Sequence, residues 1–252
     1  MKYYIGWDVG AWYCTNGSKP CDALCVLVDE GNGPKFTGTL WRKNLKSCLN
    51  ERRGKELIRD MLSCCDVDVP QDLEAVIAID TPLGWPTAMV NLATGEDIAS
   101  VDGFRQNPYL FRETERFLSE RGFKPLSAVQ DMIGSQSTKG IHFLRAAGSR
   151  AEDVGVWKAD HGETAITIIE TYPTPCKSSE TFQALFSSID ESHEFREQVD
   201  GKGKAFRNDV RDALRCALIA WLYSEKPQSL KEPGPGIVPE EGWIWVPEDA
   251  LP

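Results

Sequence analysis

Tyr3-Tyr4-Ile5-Gly6-Trp7-Asp8-Val9-Gly10 decides how the chain is read. Residues with strand preference run into a carboxylate that is followed at once by a turn residue. An acid at the end of a buried strand is costly unless it binds a cation or receives hydrogen bonds. Asp8 is therefore a site residue or a turn cap, and matching acids further along decide between them.

Reading outward, residues 22–28 form an apolar strand closed by Asp29-Glu30-Gly31-Asn32-Gly33, a strong turn signal. Residues 35–42 alternate as a returning strand, so the chain opens with three antiparallel strands. Apolar residues at helical spacing (Leu45, Cys48, Leu49, Leu57, Ile58, Met61) predict a surface helix over 45–61. Glu74-Ala75-Val76-Ile77-Ala78-Ile79-Asp80 is a near-continuous apolar run, as expected of a central strand covered on both faces. It too ends in an acid, and the prolines of Thr81-Pro82-Leu83-Gly84-Trp85-Pro86 stop it.

Residues 87–161 read as a helical and loop insertion, with helices over 112–121 and 131–147. Gly134 to Gly140 is polar and glycine-bounded, but lacks the order of a phosphate-binding loop and does not follow a strand. A β-branched strand follows over 163–172, then helical segments over 179–187 and 191–199. A long apolar helix over 208–224 closes the body. From residue 226 the chain turns Pro/Gly-rich, and its apolar island Gly242-Trp243-Ile244-Trp245-Val246 predicts docking as an edge strand or clamp. No linker divides residues 1–252, so one α/β domain is expected: a mixed five-stranded sheet flanked by helices.

The chain has 252 residues, 41% hydrophobic and 26% charged, which suits a globular protein with a substantial core. No apolar run approaches the roughly 18 residues of a membrane span. The start shows no export signal, so a cytoplasmic protein with its eight cysteines reduced is expected. Three histidines without ligand spacing and unpaired cysteine motifs argue against zinc. A net charge of −10 argues against tight non-specific gripping of nucleic acid.

The acids form the constellation. Asp8 and Asp80 end strands, Glu170 lies near the end of another, and Asp209 and Asp212 share a face near the start of the closing helix. Ligands of open α/β sheets gather at the carboxyl ends of strands. Clustered carboxylates need a compensating cation, and oxygen ligands favour Mg²⁺ or Mn²⁺. Two such ions about 4 Å apart activate water and stabilise a leaving oxygen. Each acid also has a plain reading: Asp209 and Asp212 at a helix start, Asp80 as a turn cap, Glu170 paired with Arg112.

In order along the chain, Gly6-Trp7-Asp8-Val9-Gly10, Ala78-Ile79-Asp80-Thr81-Pro82-Leu83-Gly84-Trp85-Pro86, Arg112-x-Thr-Glu115, Asp131-x-Ile133-Gly134, Glu170-Thr171-Tyr172-Pro173, Asp209-x2-Asp212-Ala213 and Glu241-Gly242-Trp243-Ile244 resemble the uncharacterised family called domain of unknown function 429, described as predicted nucleases of RNase H-like fold. The resemblance implies that fold, with acids from the first strand, the fourth strand and the last helix around divalent metal. The Asp-x2-Asp pair is similar to that of Holliday-junction resolvases. Glu115 departs from an Arg-x-x-Asp block.

The expectation is thus a nuclease-like phosphodiester hydrolase acting on nucleic acid or nucleotide. Asp8, Asp80 and Asp212 would hold metal, Asp209 or Glu170 would complete the shell, and Arg112, Lys139, Lys202 and Lys204 would contact substrate. Two alternatives stand beside it: a nucleotide-binding phosphotransferase of the actin and sugar-kinase type, and a catalytically inactive binding module.

Overall fold

The computed structural model describes residues 1–162 and 164–252. Its sheet is mixed, open and nine-stranded among the described residues, with helices on both faces. In chain order, β1 (Lys2–Asp8), β2 (Ala23–Asp29), β3 (Pro34–Phe36) and β4 (Trp41–Arg42) come first. The helices α1 (Lys46–Glu51) and α2 (Gly54–Cys64) lead to β5 (Glu74–Asp80). The insertion carries α3 (Thr87–Thr94), α4 (Glu113–Glu120) and α5 (Gly134–Ala146), then β6 (Arg150–Asp153) and β7 (Val156–His161). After β8 (Thr164–Thr171) come α6 (Pro173–Cys176), α7 (Glu180–Asp190), α8 (His193–Val199), α9 (Lys204–Glu225) and β9 (Ile244–Trp245).

The strands run β3-β2-β1-β5-β8-β7-β6 across the sheet, with β4 also on β2 and β9 on β8. β1 is antiparallel to β2 and parallel to β5, and β5 is parallel to β8. The opening meander stands as expected, except that residues 35–42 are two strands. Gly38, at φ +70°, breaks them where a Cβ would stand 2.1 Å from the carbonyl oxygen of Cys65. The helix expected over 45–61 is likewise two, interrupted where Arg52 and Arg53 are extended.

The larger correction concerns the insertion, which ends not in loop but in the hairpin β6–β7. Trp157 to Asp160 alternates buried and exposed positions, a period-2 signal that the neighbouring helical stretches obscured. The hairpin widens the sheet from the expected five strands. The strand expected from residue 163 begins at Thr164 among the described residues, and Glu163 lies outside them. The C-terminal island docks as expected, with Ile244 and Trp245 pairing in parallel with Glu170 and Thr171.

Two apolar layers sandwich the sheet. On one face Tyr3, Ile5 and Trp7 pack with α1, α2 and α5, where Trp7 meets Phe143 edge-on at 5.4 Å. On the other, Tyr4 and Ala78 pack under α9, α7 and α8. Alternation along β1 puts Tyr4, Gly6 and Asp8 on the α9 face. There α9 lies so close that a Cβ on Gly6 would fall 1.9 Å from the carbonyl oxygen of Ala213 and 2.3 Å from the amide nitrogen of Ala217. Only glycine fits. Gly6→Ala is expected to cost about 3 kcal/mol or more by overpacking, whereas Gly134→Ala, with open space around its Cβ, changes stability by less than about 1 kcal/mol. Urea unfolding of the two variants checks this.

Candidate functional site

The contact at Gly6 sets the site. Lys2 and Tyr4 bond Ser224 and Glu225 near the end of α9, so strand and helix run in opposite directions. Two residues along β1 advance about 6.6 Å, and four residues along a helix about 6 Å. Stepping from Gly6 to Asp8 therefore matches stepping from Ala213 and Ala217 back to Asp209 and Ala213, which brings Asp209 and Asp212 to the acid of β1. Asp8 is in parallel register with Asp80 on the adjoining strand. Registered residues of neighbouring strands lie about 4.8 Å apart and face one side, so the two carboxylates stand together at the carboxyl end of the sheet.

Asp8 is 7% exposed, and neither it nor Asp80 takes part in an ion pair or side-chain hydrogen bond among the described residues. Burial, then Asp80, Asp212, Asp209 and Asp22, push the Asp8 carboxyl well above the usual range. Burial, then Asp212 and Glu170, raise Asp80 to about 8, against a lesser opposing pull from Lys177. Asp212 faces the pair from α9, with Oδ1 accepting from Arg215 Nη1 at 2.7 Å. Among the described residues no group of three or more His, Cys, Asp or Glu is arranged to hold a metal ion. The expected trio Asp8, Asp80 and Asp212 is thus not assembled as ligands, and the structure offers a close pair with a third acid nearby.

The other acids have partners of their own. Asp209 Oδ2 accepts from the Arg42 guanidinium at 2.7 Å and from the Cys21 amide at 3.1 Å, which ties β4 and the first loop to α9. Glu170 is in register with Ile79, not with Asp80, so parity points it toward the opposite face, although it still reaches the edge of the cavity that Asp8 and Asp80 line. There it takes both arms of Arg112, at 2.7 and 2.8 Å, and the Leu83 amide at 2.9 Å. Arg112, itself fully buried, also bonds the buried Glu115 and the carbonyl of half-buried Glu241, so it is no substrate contact. Lys139 is corrected in the same way: it is fully buried, with its ammonium on Asp22 and on the carbonyls of the Gly10 loop. The polar stretch Gly134 to Gly140 is the first half of α5, where Ser135 and Thr138 hold Trp12. Lys204 opens α9, exposed and about 12 Å along the axis from Asp212. Lys202 stacks over Phe206.

No family model, curated protein or solved structure matches this chain.

A cavity of about 170 Å³ opens at the pair, walled by Val9, Pro20, Pro82, Leu126, Ile133 and Tyr172. Sequence reasoning missed these walls, which come from five separate segments and carry no common pattern. It also missed Asp22, whose carboxylate gathers Trp7 Nε1, the Gly10 and Leu45 amides and Lys139.

Two outcomes are expected. Removing Arg112 strands two buried carboxylates, Glu115 and Glu170, so Arg112→Ala should cost about 3–5 kcal/mol in urea unfolding. The raised carboxyls have a definite sign: each contributes stability that is fully present below about pH 4, and the Asp80 contribution is lost as pH rises through about 8. Asp80→Asn, which cannot ionise, should become more stable relative to the parent as pH rises across that window. Urea unfolding in EDTA at about pH 5 and about pH 8.5 measures the difference.

Proposed function

We propose that this chain is a metal-dependent phosphodiester hydrolase of RNase H-like fold, using the pair Asp8 and Asp80. The observation that carries the reading is their registered placement on adjacent parallel strands, with Asp8 buried, Asp80 half-buried and neither having a protein partner among the described residues. Acids carried by β1, β5 and α9 are the set that the resemblance to domain of unknown function 429 implies, which supports the reading.

The donor set fits a hard cation. It is all oxygen, and Mg²⁺ is commonly held by one or two carboxylates plus substrate phosphate and water, without a full protein cage. Asp8 and Asp80 would hold Mg²⁺ or Mn²⁺, and a two-ion arrangement would require Asp212 as a further ligand. The bound ion supplies charge stabilisation at phosphoryl oxygens and a water of lowered pKa. Asp212, its Oδ1 held by Arg215, keeps Oδ2 for a hydrogen bond from the attacking water. Asp209, engaged by Arg42, holds the first loop over the site.

Calorimetric titration with Mn²⁺ tests this directly. The parent protein should bind Mn²⁺, and Asp8→Asn and Asp80→Asn should abolish binding. Each substitution should also lower phosphodiesterase kcat by at least about 100-fold. Absence of Mn²⁺ binding by the parent overturns the reading.

A further inference from the structure

The walls around the acid pair say what size of molecule can reach it. At about 170 Å³ the cavity is below the usual range for sites that enclose large organic ligands. It still has room for a phosphoryl group with part of one ring. Its lining is apolar apart from the acids, Thr81, Thr171, the Tyr172 hydroxyl and Gln136, and contains no Lys, Arg or His among the described residues. Grip on a duplex comes from many cations along the backbone, whereas this chain has a net charge of −10. Two cations expected to meet phosphate, Arg112 and Lys139, are fully buried in ion pairs. Leu126, which lines the cavity and is 52% exposed, puts apolar surface at the mouth where a polymer's phosphates would pass.

A second observation points to a ligand. Thr81, directly after Asp80, is 5% exposed, and its hydroxyl has no hydrogen-bond partner among the described residues. Its methyl is taken up against α5, 2.5 Å from where a Cβ on Gly140 would stand. Buried hydroxyls are normally satisfied. One left unpaired on the wall of a cavity, next to an acid of the pair, is a ready contact for a phosphoryl or ester oxygen.

We propose, resting on the hydrolase reading above, that the substrate is a small phosphate ester carrying a single planar ring, and that duplex nucleic acid is excluded. The ring lies against Pro82, Leu126 and Ile133, and the phosphoryl group faces Asp8, Asp80 and Thr81. In the reaction the oxygen of water bonds to phosphorus and the P–O bond to the ring-bearing oxygen breaks. That oxygen leaves with the electron pair, and the proton of the water passes to solvent or to the leaving oxygen.

The test uses the full chain with Mn²⁺ and two kinds of readout. Phenylphosphonate, which has no ester bond to break, should bind by calorimetry. Leu126→Asp, at an exposed position, should weaken it at least about fivefold with Mn²⁺ affinity unchanged. Thr81→Val should raise Tm, by removing an unsatisfied hydroxyl, and should weaken phenylphosphonate as well. Methyl p-nitrophenyl phosphate, a diester with one ring, should be hydrolysed with kcat/KM at least about 100-fold above the per-bond value on duplex DNA. If Mn²⁺ binds and duplex is cut as well as the small ester, the substrate inference falls while the hydrolase reading stands. The substrate inference falls alone, too, if both variants bind phenylphosphonate like the parent. If Mn²⁺ does not bind and no ester is cut, both fall.

Discussion

The approach of α9 to β1 at Gly6 is the constraint on which the rest depends. A helix normally packs on a sheet through side chains, and here backbone meets backbone, because the strand residue beneath it lacks a Cβ. The intimacy fixes the height of the helix and its position along the strand. With that position set, the helix acids and the strand acids meet at one end of the sheet without any loop having to place them. Val210, Ala213, Leu214 and Ala217, all fully buried along the same helix, hold the contact by burial of apolar surface.

Two buried ion networks complete the arrangement from the other face. Arg112 and its partner Glu170 together join β8, the turn after β5, the start of α4 and the chain before β9. Asp22 joins β1, the first loop, α5 and the start of the helical pair. Such networks contribute little net stability over apolar packing, but a wrongly docked segment would leave a charge stranded, so they favour one arrangement of the insertion over its alternatives. Their placement explains why two cations that look like substrate contacts in the sequence are structural.

Much of the central sheet was legible because its strands are nearly continuous apolar runs ending in acids and turn residues. The meeting of Asp8 and Asp80 could be anticipated from equivalent strand ends. What could not be read is parity. Glu170 ends a strand as Asp80 does, yet sits one residue off in register and therefore faces the other way. Register is set by tertiary pairing, and a single-residue offset reverses a side chain. The hairpin β6–β7 escaped for a different reason: β6 is short and mostly exposed, so it has no hydrophobic period, and its partner's alternation lies beside helical segments. The cavity walls were unreadable because they are assembled from remote segments with no shared spacing.

The sheet's outer strands carry a consequence of their own. At one margin β6 is charged at Arg150, Glu152 and Asp153 and bulges between Ala151 and Asp153. At the other, β3 is three residues long and begins Pro34-Lys35. Unpaired amides along a flat margin invite addition of a foreign strand, and charge, a bulge, proline and brevity each discourage it. Growth of the sheet by stacking copies side by side is therefore disfavoured at both of these margins.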